Sequence, residues 1–456
     1  MMYSRQSFVS LGIGEECEYR LKDGARKRIR LVSYEDFRDS VIARIRRSRV
    51  EVQIDGRRLE LRCAPYVMPT KIDGLRIQAD VTRGFSEDSP EAIRVTKDVR
   101  LSLWDATDPI VDTAAFGFPL ADYRLFSHGT QSYPEVVHMG LRDGAPGRGA
   151  RQYHTMGEDY CGFEKREPIF CCASGMIVPF VSGLKDDPTH LYIRDSEDWI
   201  WCYAHMDSFE PDMRPGRRVM KGERIGMLGI RGGSGRFSHI HVGLIIPDDR
   251  SSADGVYRWY NEIRIYPWLI SAYRAQHPIP LLAVARLHQV VGAGEKAVLD
   301  GRNSMAFGSV IQSYKWELPD GSVSHEPLLE RAFSEPGVYS AALWVTDQKG
   351  NRDVDFCRIK VHRTADPQML PTVVITHFPT RPKAGETVMF RIWVQTEETK
   401  EKLRVDFGDG AGLSDYSSWQ EVTHAYRTAG MYIVRVETSV EGAPITEQTR
   451  VVIEPA

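Results

Sequence analysis

Short runs of alternating apolar and polar residues, cut by Asp-Gly turns, constrain the fold of this chain more than any other feature. Such turns occur at Asp23-Gly24, Asp55-Gly56 and Asp73-Gly74 near one end and at Asp320-Gly321 and Asp409-Gly410 near the other. Asp-Gly accepts the positive φ that a tight hairpin needs, and the period-two alternation on either side belongs to strands. The expectation is therefore a mainly β protein. Two stretches depart from it. Ser33 to Arg47 predicts one helix, with Ser33 as cap and Glu35 in the first turn, and Trp268 to Arg274 predicts an amphipathic helix stopped before Pro278.

At 456 residues the chain is too long for one ordinary core and predicts three or four domains. Hydrophobic residues at 42% and charged residues at 27% describe a globular chain rather than a disordered one. No run of eighteen apolar residues is present, so no membrane span is expected. The net charge of -3 gives no overall basic field for nucleic acid. Arg-rich runs such as Arg26 to Arg30 and Arg44 to Arg47 read as solvated faces of strands or helices. The seven cysteines are an odd number, so at least one thiol is unpaired within the chain. Several lie among apolar neighbours, as in Phe170-Cys171-Cys172-Ala173, and read as buried free thiols; a strand would point Cys171 and Cys172 to opposite faces. No CxxC pair exists to make a cysteine zinc site.

The expected division is a β-rich accessory domain over 1–145, a central domain over 146–281, and two sandwiches over 282–364 and 365–456. A loop over Arg142 to Gly149 ends the first part. From about residue 282 onward, evenly spaced short strands with turn residues carry the pattern of β-sandwiches, and the pattern occurs twice. In the second copy Phe407-Gly408-Asp409-Gly410 is followed by His424-Ala425-Tyr426 and Gly430-Met431-Tyr432. These copies resemble the PKD-repeat family, although the first has Leu318-Pro319-Asp320-Gly321 at its turn. The resemblance implies immunoglobulin-like sandwiches acting as spacers or in substrate adhesion.

The central part holds the chemistry. In Ser238-His239-Ile240-His241-Val242 the two histidines project from one face of a strand, an arrangement that suits a metal, a reaction or an exposed polar face. Upstream, His205 ends the run Trp199 to Ala204, and His154 precedes Gly157-Glu158-Asp159-Tyr160. Each alone is a weak signal: an ordinary turn or a satisfied polar residue explains it equally well. Their order is more informative: His-turn-Asp, then Gly175, Tyr203-Ala204-His205, Lys221-Gly222-Glu223-Arg224-Ile225-Gly226, and finally HxH.

That succession, over about residues 150 to 245, resembles the lysostaphin/LytM-type zinc metallopeptidases. The resemblance implies an antiparallel-sheet enzyme with an open groove. It implies that His154, Asp159 and His241 hold zinc and that His205 and His239 are the catalytic histidines. Three ligands leave a tetrahedral position for water, whose pKa zinc lowers to about 7. This chain departs from the family in one respect: the aspartate usually lies four residues after the first histidine, whereas Asp159 lies five after His154, and Glu158 takes the usual offset. The Gly-x-Asp-Tyr order favours Asp159 as the ligand. His138 and Asp143 form a similar but misplaced pair and read as structural. The other histidines, His128, His190, His277, His288, His325, His362, His377 and His424, have no partner pattern and read as surface or core residues.

Three functions follow from the resemblance. The first is a zinc-dependent endopeptidase acting on the peptide cross-links of peptidoglycan. The second is a zinc-dependent polysaccharide lyase or hydrolase on the same scaffold, and the third a binding protein with an inactive site. The expected partner is peptidoglycan or another extracellular polymer, with no nucleic acid. The N-terminal residues Met1 to Ser7 lack the apolar core of a signal peptide, so the residues alone leave open an internal location or a signal removed earlier. The resemblance favours the extracellular space or the cell envelope.

Overall fold

The protein, described here from a computed structural model, is mainly β and built largely of antiparallel sheets. The described residues are 6–89, 91–127, 136–142, 145–154, 156–179, 189–232, 237–246, 261–363, 370–394, 403–416, 421–440 and 442–456, with backbone alone for 136–154. Near the N-terminus two four-stranded sheets pack face to face. One orders Ser7–Leu11, Val99–Asp105, Leu75–Thr82 and Thr70–Ile72; the other is the meander Glu16–Arg20, Arg26–Arg38, Ile45–Ile54 and Arg57–Cys63. Their shared core includes Ile29, Leu31, Val50, Val52, Ile77 and Leu101. Asp55 and Gly56, at φ 49° and 86°, close the Ile45–Ile54 hairpin as the Asp-Gly signal predicts.

The helix expected over Ser33 to Arg47 is absent. Arg26–Arg38 continues as one long strand, with Ser33 opposite Glu51 and Glu35 opposite Arg49. Charges that would have lined a helix pair across strands, and the Asp39 carboxylate accepts from the Val41 and Ile42 N–H groups to close a turn. The loop expected over Arg142 to Gly149 is also shorter than its composition suggests. Ala145–His154 pairs with Val136–Arg142, and the glycine-rich stretch is absorbed as a register shift between Pro146 and Arg151. The structural reading of the His138 and Asp143 pair concerns side chains outside the described residues.

The central sheet has six strands in the order Glu158–Cys161, His239–Ile245, Ile200–Ala204, Leu191–Asp195, Gly175–Val178 and Arg218–Val219. At Gly175 a Cβ would stand 2.4 Å from the Arg194 carbonyl oxygen, so only glycine allows that strand approach. Beneath the sheet lies a large apolar core that includes Trp201, Tyr203, Ile240, Val242 and Trp268. The helix Tyr266–Gln276 forms as expected, with Pro267 in its first turn, but it buries most of its surface rather than one face.

Two sandwiches follow, with cores around Trp316, Leu343 and Ile359 and around Phe390, Phe407 and Val436. Gly337–Asp347 meets Ala443–Ile453 in parallel at Val338 and Ile445, merging strands of both into a nine-stranded sheet. Buried ion pairs Arg358–Glu447 and Arg450–Asp353 cross this seam. The second sandwich also reaches the central part: the Thr380 hydroxyl donates to Glu167 at 2.7 Å, and Val374 and Trp393 pack on Cys161 and Phe237. All seven cysteines are free thiols and all but Cys17 are buried, though Cys171 and Cys172 lie just beyond a strand. Among the described residues no helix is long and apolar enough to cross a membrane.

Candidate active site

Strand pairing assembles the site. Asp159 faces His241 directly, and Ala204, one residue before His205, faces His241 from the other side. Because side chains alternate along a strand, Asp159 and its neighbour Glu158 diverge. Asp159 Oδ1 lies 2.8 Å from His241 Nδ1. Glu158 is buried on the opposite face, where its charge acts on Arg264, Tyr160 and Tyr266. Gly157 shares the Asp159 face, and a Cβ there would come within 2.3 Å of the His241 ring. The glycine of the Gly-x-Asp order thus clears room for the imidazole.

His205 sits at the strand end with φ 67°, a left-handed conformation uncommon for a residue other than glycine. Its ring centre is 4.6 Å from that of His239 and 6.4 Å from that of His241. His205 Nδ1 pairs with the Arg231 carbonyl oxygen at 2.8 Å, and His239 Nδ1 pairs with the Phe237 carbonyl oxygen at 3.1 Å. A carbonyl oxygen only accepts, so both rings carry the proton on Nδ1 and keep a lone pair on Nε2. Burial lowers the pKa of both rings; for His205 the neighbouring imidazoles add to it, and for His239 Asp159 partly opposes it. Both are therefore neutral bases near neutral pH.

His241 differs. Burial disfavours its charge, but Glu262 and Asp159 outweigh that and raise its pKa well above the usual histidine value. Glu262 Oε1 lies 3.5 Å from Nε2, on the ring edge away from Asp159. This bracket of two carboxylates stabilises positive charge at the spot, whether a proton or a metal cation supplies it.

Of the five residues singled out in the sequence, Asp159, His205, His239 and His241 come together here. His154 ends the strand Ala145–His154, and its side chain lies outside the described residues. Among the described residues no group of three histidine, cysteine or acidic side chains is arranged to hold a metal ion. The two described members of the ligand set do fit zinc in chemistry, offering a carboxylate oxygen and an imidazole nitrogen side by side. Sequence reasoning missed His190, whose ring centre is 5.7 Å from that of His205, and Glu262. It also missed Phe237, stacked on His239 at 4.1 Å and itself packed against Trp393 at 5.6 Å. Gly243, two residues beyond His241, was a usable signal, because a Cβ there would strike the Glu262 carboxylate at 2.4 Å.

Residues 278–361 match the family model for the PKD domain. Among solved structures, the lytM protein of Ruminococcus gnavus is similar at 19% identity over 35% of this chain and 61% of that chain, with a TM-score of 0.23. A mutant catalytic domain of the prophage-encoded M23 protein EnpA from Enterococcus faecalis is similar at 21% identity over 28% of this chain and 86% of its own, with a TM-score of 0.18. Lysostaphin is similar at 13% identity over 52% of this chain and 90% of its own, with a TM-score of 0.22. The chain thus spans less than two thirds of the lytM protein.

Proposed function

We propose that the central part is a zinc-dependent endopeptidase that hydrolyses peptide cross-links of peptidoglycan. The observation that carries this reading is the pairing of Asp159 with His241 beside two neutral imidazoles, His205 and His239, whose Nε2 lone pairs are available. His154, Asp159 and His241 would hold the ion. Zinc, when bound, supplies Lewis acidity toward an oxygen atom at neutral pH. His239 or His205 accepts a proton at Nε2 from the attacking water, and the resulting imidazolium returns it to the departing amine. The second imidazole stays neutral, and its Nε2 lone pair accepts a hydrogen bond from the attacking water and orients it. Low pKa values suit both rings to rapid release of that proton.

On this reading the parts divide as 1–145, 146–281, 282–364 and 365–456, and the sandwiches hold the enzyme at an extracellular or cell-envelope polymer. The decisive experiment is product analysis after incubating the zinc-loaded protein with peptidoglycan and, separately, with acidic polysaccharides. New amino groups from peptidoglycan support the proposal. New reducing ends or unsaturated uronate absorbance would overturn it in favour of glycan chemistry.

A further inference from the structure

The chemistry above gives Glu262 no task, yet its backbone is held from several directions and sets its carboxylate beside the cluster. Glu262 is only 3% exposed. Its N–H donates to the Glu91 carbonyl at 2.9 Å, its carbonyl accepts from Ile93 N–H at 3.0 Å, and it faces Ile245 across an antiparallel bridge. Held from both sides, it lays its carboxylate over Gly243, where any side chain would collide with it. Oε1 lies 3.5 Å from His241 Nε2, and Oε2 has no hydrogen-bond partner among the described residues. An ionised carboxylate buried this way is costly unless positive charge accumulates beside it.

Carboxylates stand at both ring nitrogens, Asp159 at Nδ1 and Glu262 at Nε2. When a metal cation takes the place of the Nδ1 proton beside Asp159, Glu262 holds the remaining proton on Nε2 and leaves the lone pair on Nδ1. We infer that Glu262 is a positioning residue that accepts the Nε2 proton of His241 and so presents Nδ1 to the metal. This rests on the zinc reading of the site. The neighbouring imidazoles are set the opposite way, with Nδ1 protonated against backbone carbonyls, so one cluster holds two tautomers for two tasks. Glu91, whose side chain also accepts from Met156 N–H at 3.1 Å, ties this arrangement to the chain that precedes the central sheet.

The test measures zinc affinity of the 456-residue chain by competition with a chromophoric chelator, for wild type, Glu262→Gln, Glu262→Ala and Asp159→Ala. Loss of the carboxylate in Glu262→Ala weakens zinc binding about 10–100-fold, with Glu262→Gln in between. Metal-free unfolding midpoints show whether each variant folds. Nitrogen-15 NMR of zinc-loaded wild type, which needs no variant, places the His241 proton on Nε2. Wild-type affinity in folded Glu262→Ala, or a proton on Nδ1, overturns the inference. If Asp159→Ala alone loses zinc, the site reading stands and the role of Glu262 falls; if wild type takes up no zinc, both fall.

Discussion

The two sides of the histidine cluster differ in what surrounds the rings. On one side His241 is bracketed by Asp159 and Glu262, and its pKa is raised despite burial. On the other side His205 and His239 lean on each other, His239 also stacks on Phe237, both bond backbone carbonyls through Nδ1, and both have lowered pKa values. The same side chain, two residues apart on one strand, thus favours positive charge in one place and stays neutral in the other. Environment, not residue type, divides the labour.

The largest effect is expected at the charged side. His241→Ala removes both zinc and activity, with metal content falling from about one ion per chain to near zero by elemental analysis. His239→Ala and His205→Ala retain zinc and lower kcat by about 10²–10⁴-fold, the usual contribution of a positioned acid or base. If His239→Ala emptied the site instead, the two sides would have to exchange roles.

A sharper form of the comparison sets Asp159 against Glu158. Asp159→Ala weakens zinc binding by more than the roughly 10–100-fold typical of an outer carboxylate. Glu158→Ala leaves zinc affinity near that of wild type and lowers the unfolding midpoint, because buried Arg264 loses a nearby negative charge. Parallel chelator titrations and thermal melts separate the two, and a larger zinc loss for Glu158→Ala would move the ligand to Glu158. The smallest effect is expected at Phe237. A stacked aromatic contact contributes about 0.5–1.5 kcal/mol, so Phe237→Leu lowers kcat roughly 2–10-fold with unchanged zinc content. Unchanged kcat would show that the stack does not orient His239.

Patterns set by local backbone geometry were legible before any tertiary structure. The HxH spacing put His239 and His241 on one face, and Asp55-Gly56 made its hairpin. The failure at Ser33 to Arg47 has a physical cause. A helix cap followed by charged residues reads the same as a strand whose charges meet partners on a neighbouring strand, and those partners, Arg49 and Glu51, come from further along the chain.

What the sequence by itself determined is therefore the period of strands such as His239–Ile245, turns such as Asp55-Gly56, and the glycine two residues before Asp159 that leaves room for the His241 ring. Only the tertiary structure decided which distant groups surround each ring. Glu262 and His190 lie in segments with no motif, and only the packing of separate stretches carries them to His241 and His205. Trp393, from the second sandwich, reaches Phe237 in the same way. Local spacing fixes where a side chain points, but burial and neighbouring charge, which set what it can do, arise only when separate stretches pack together.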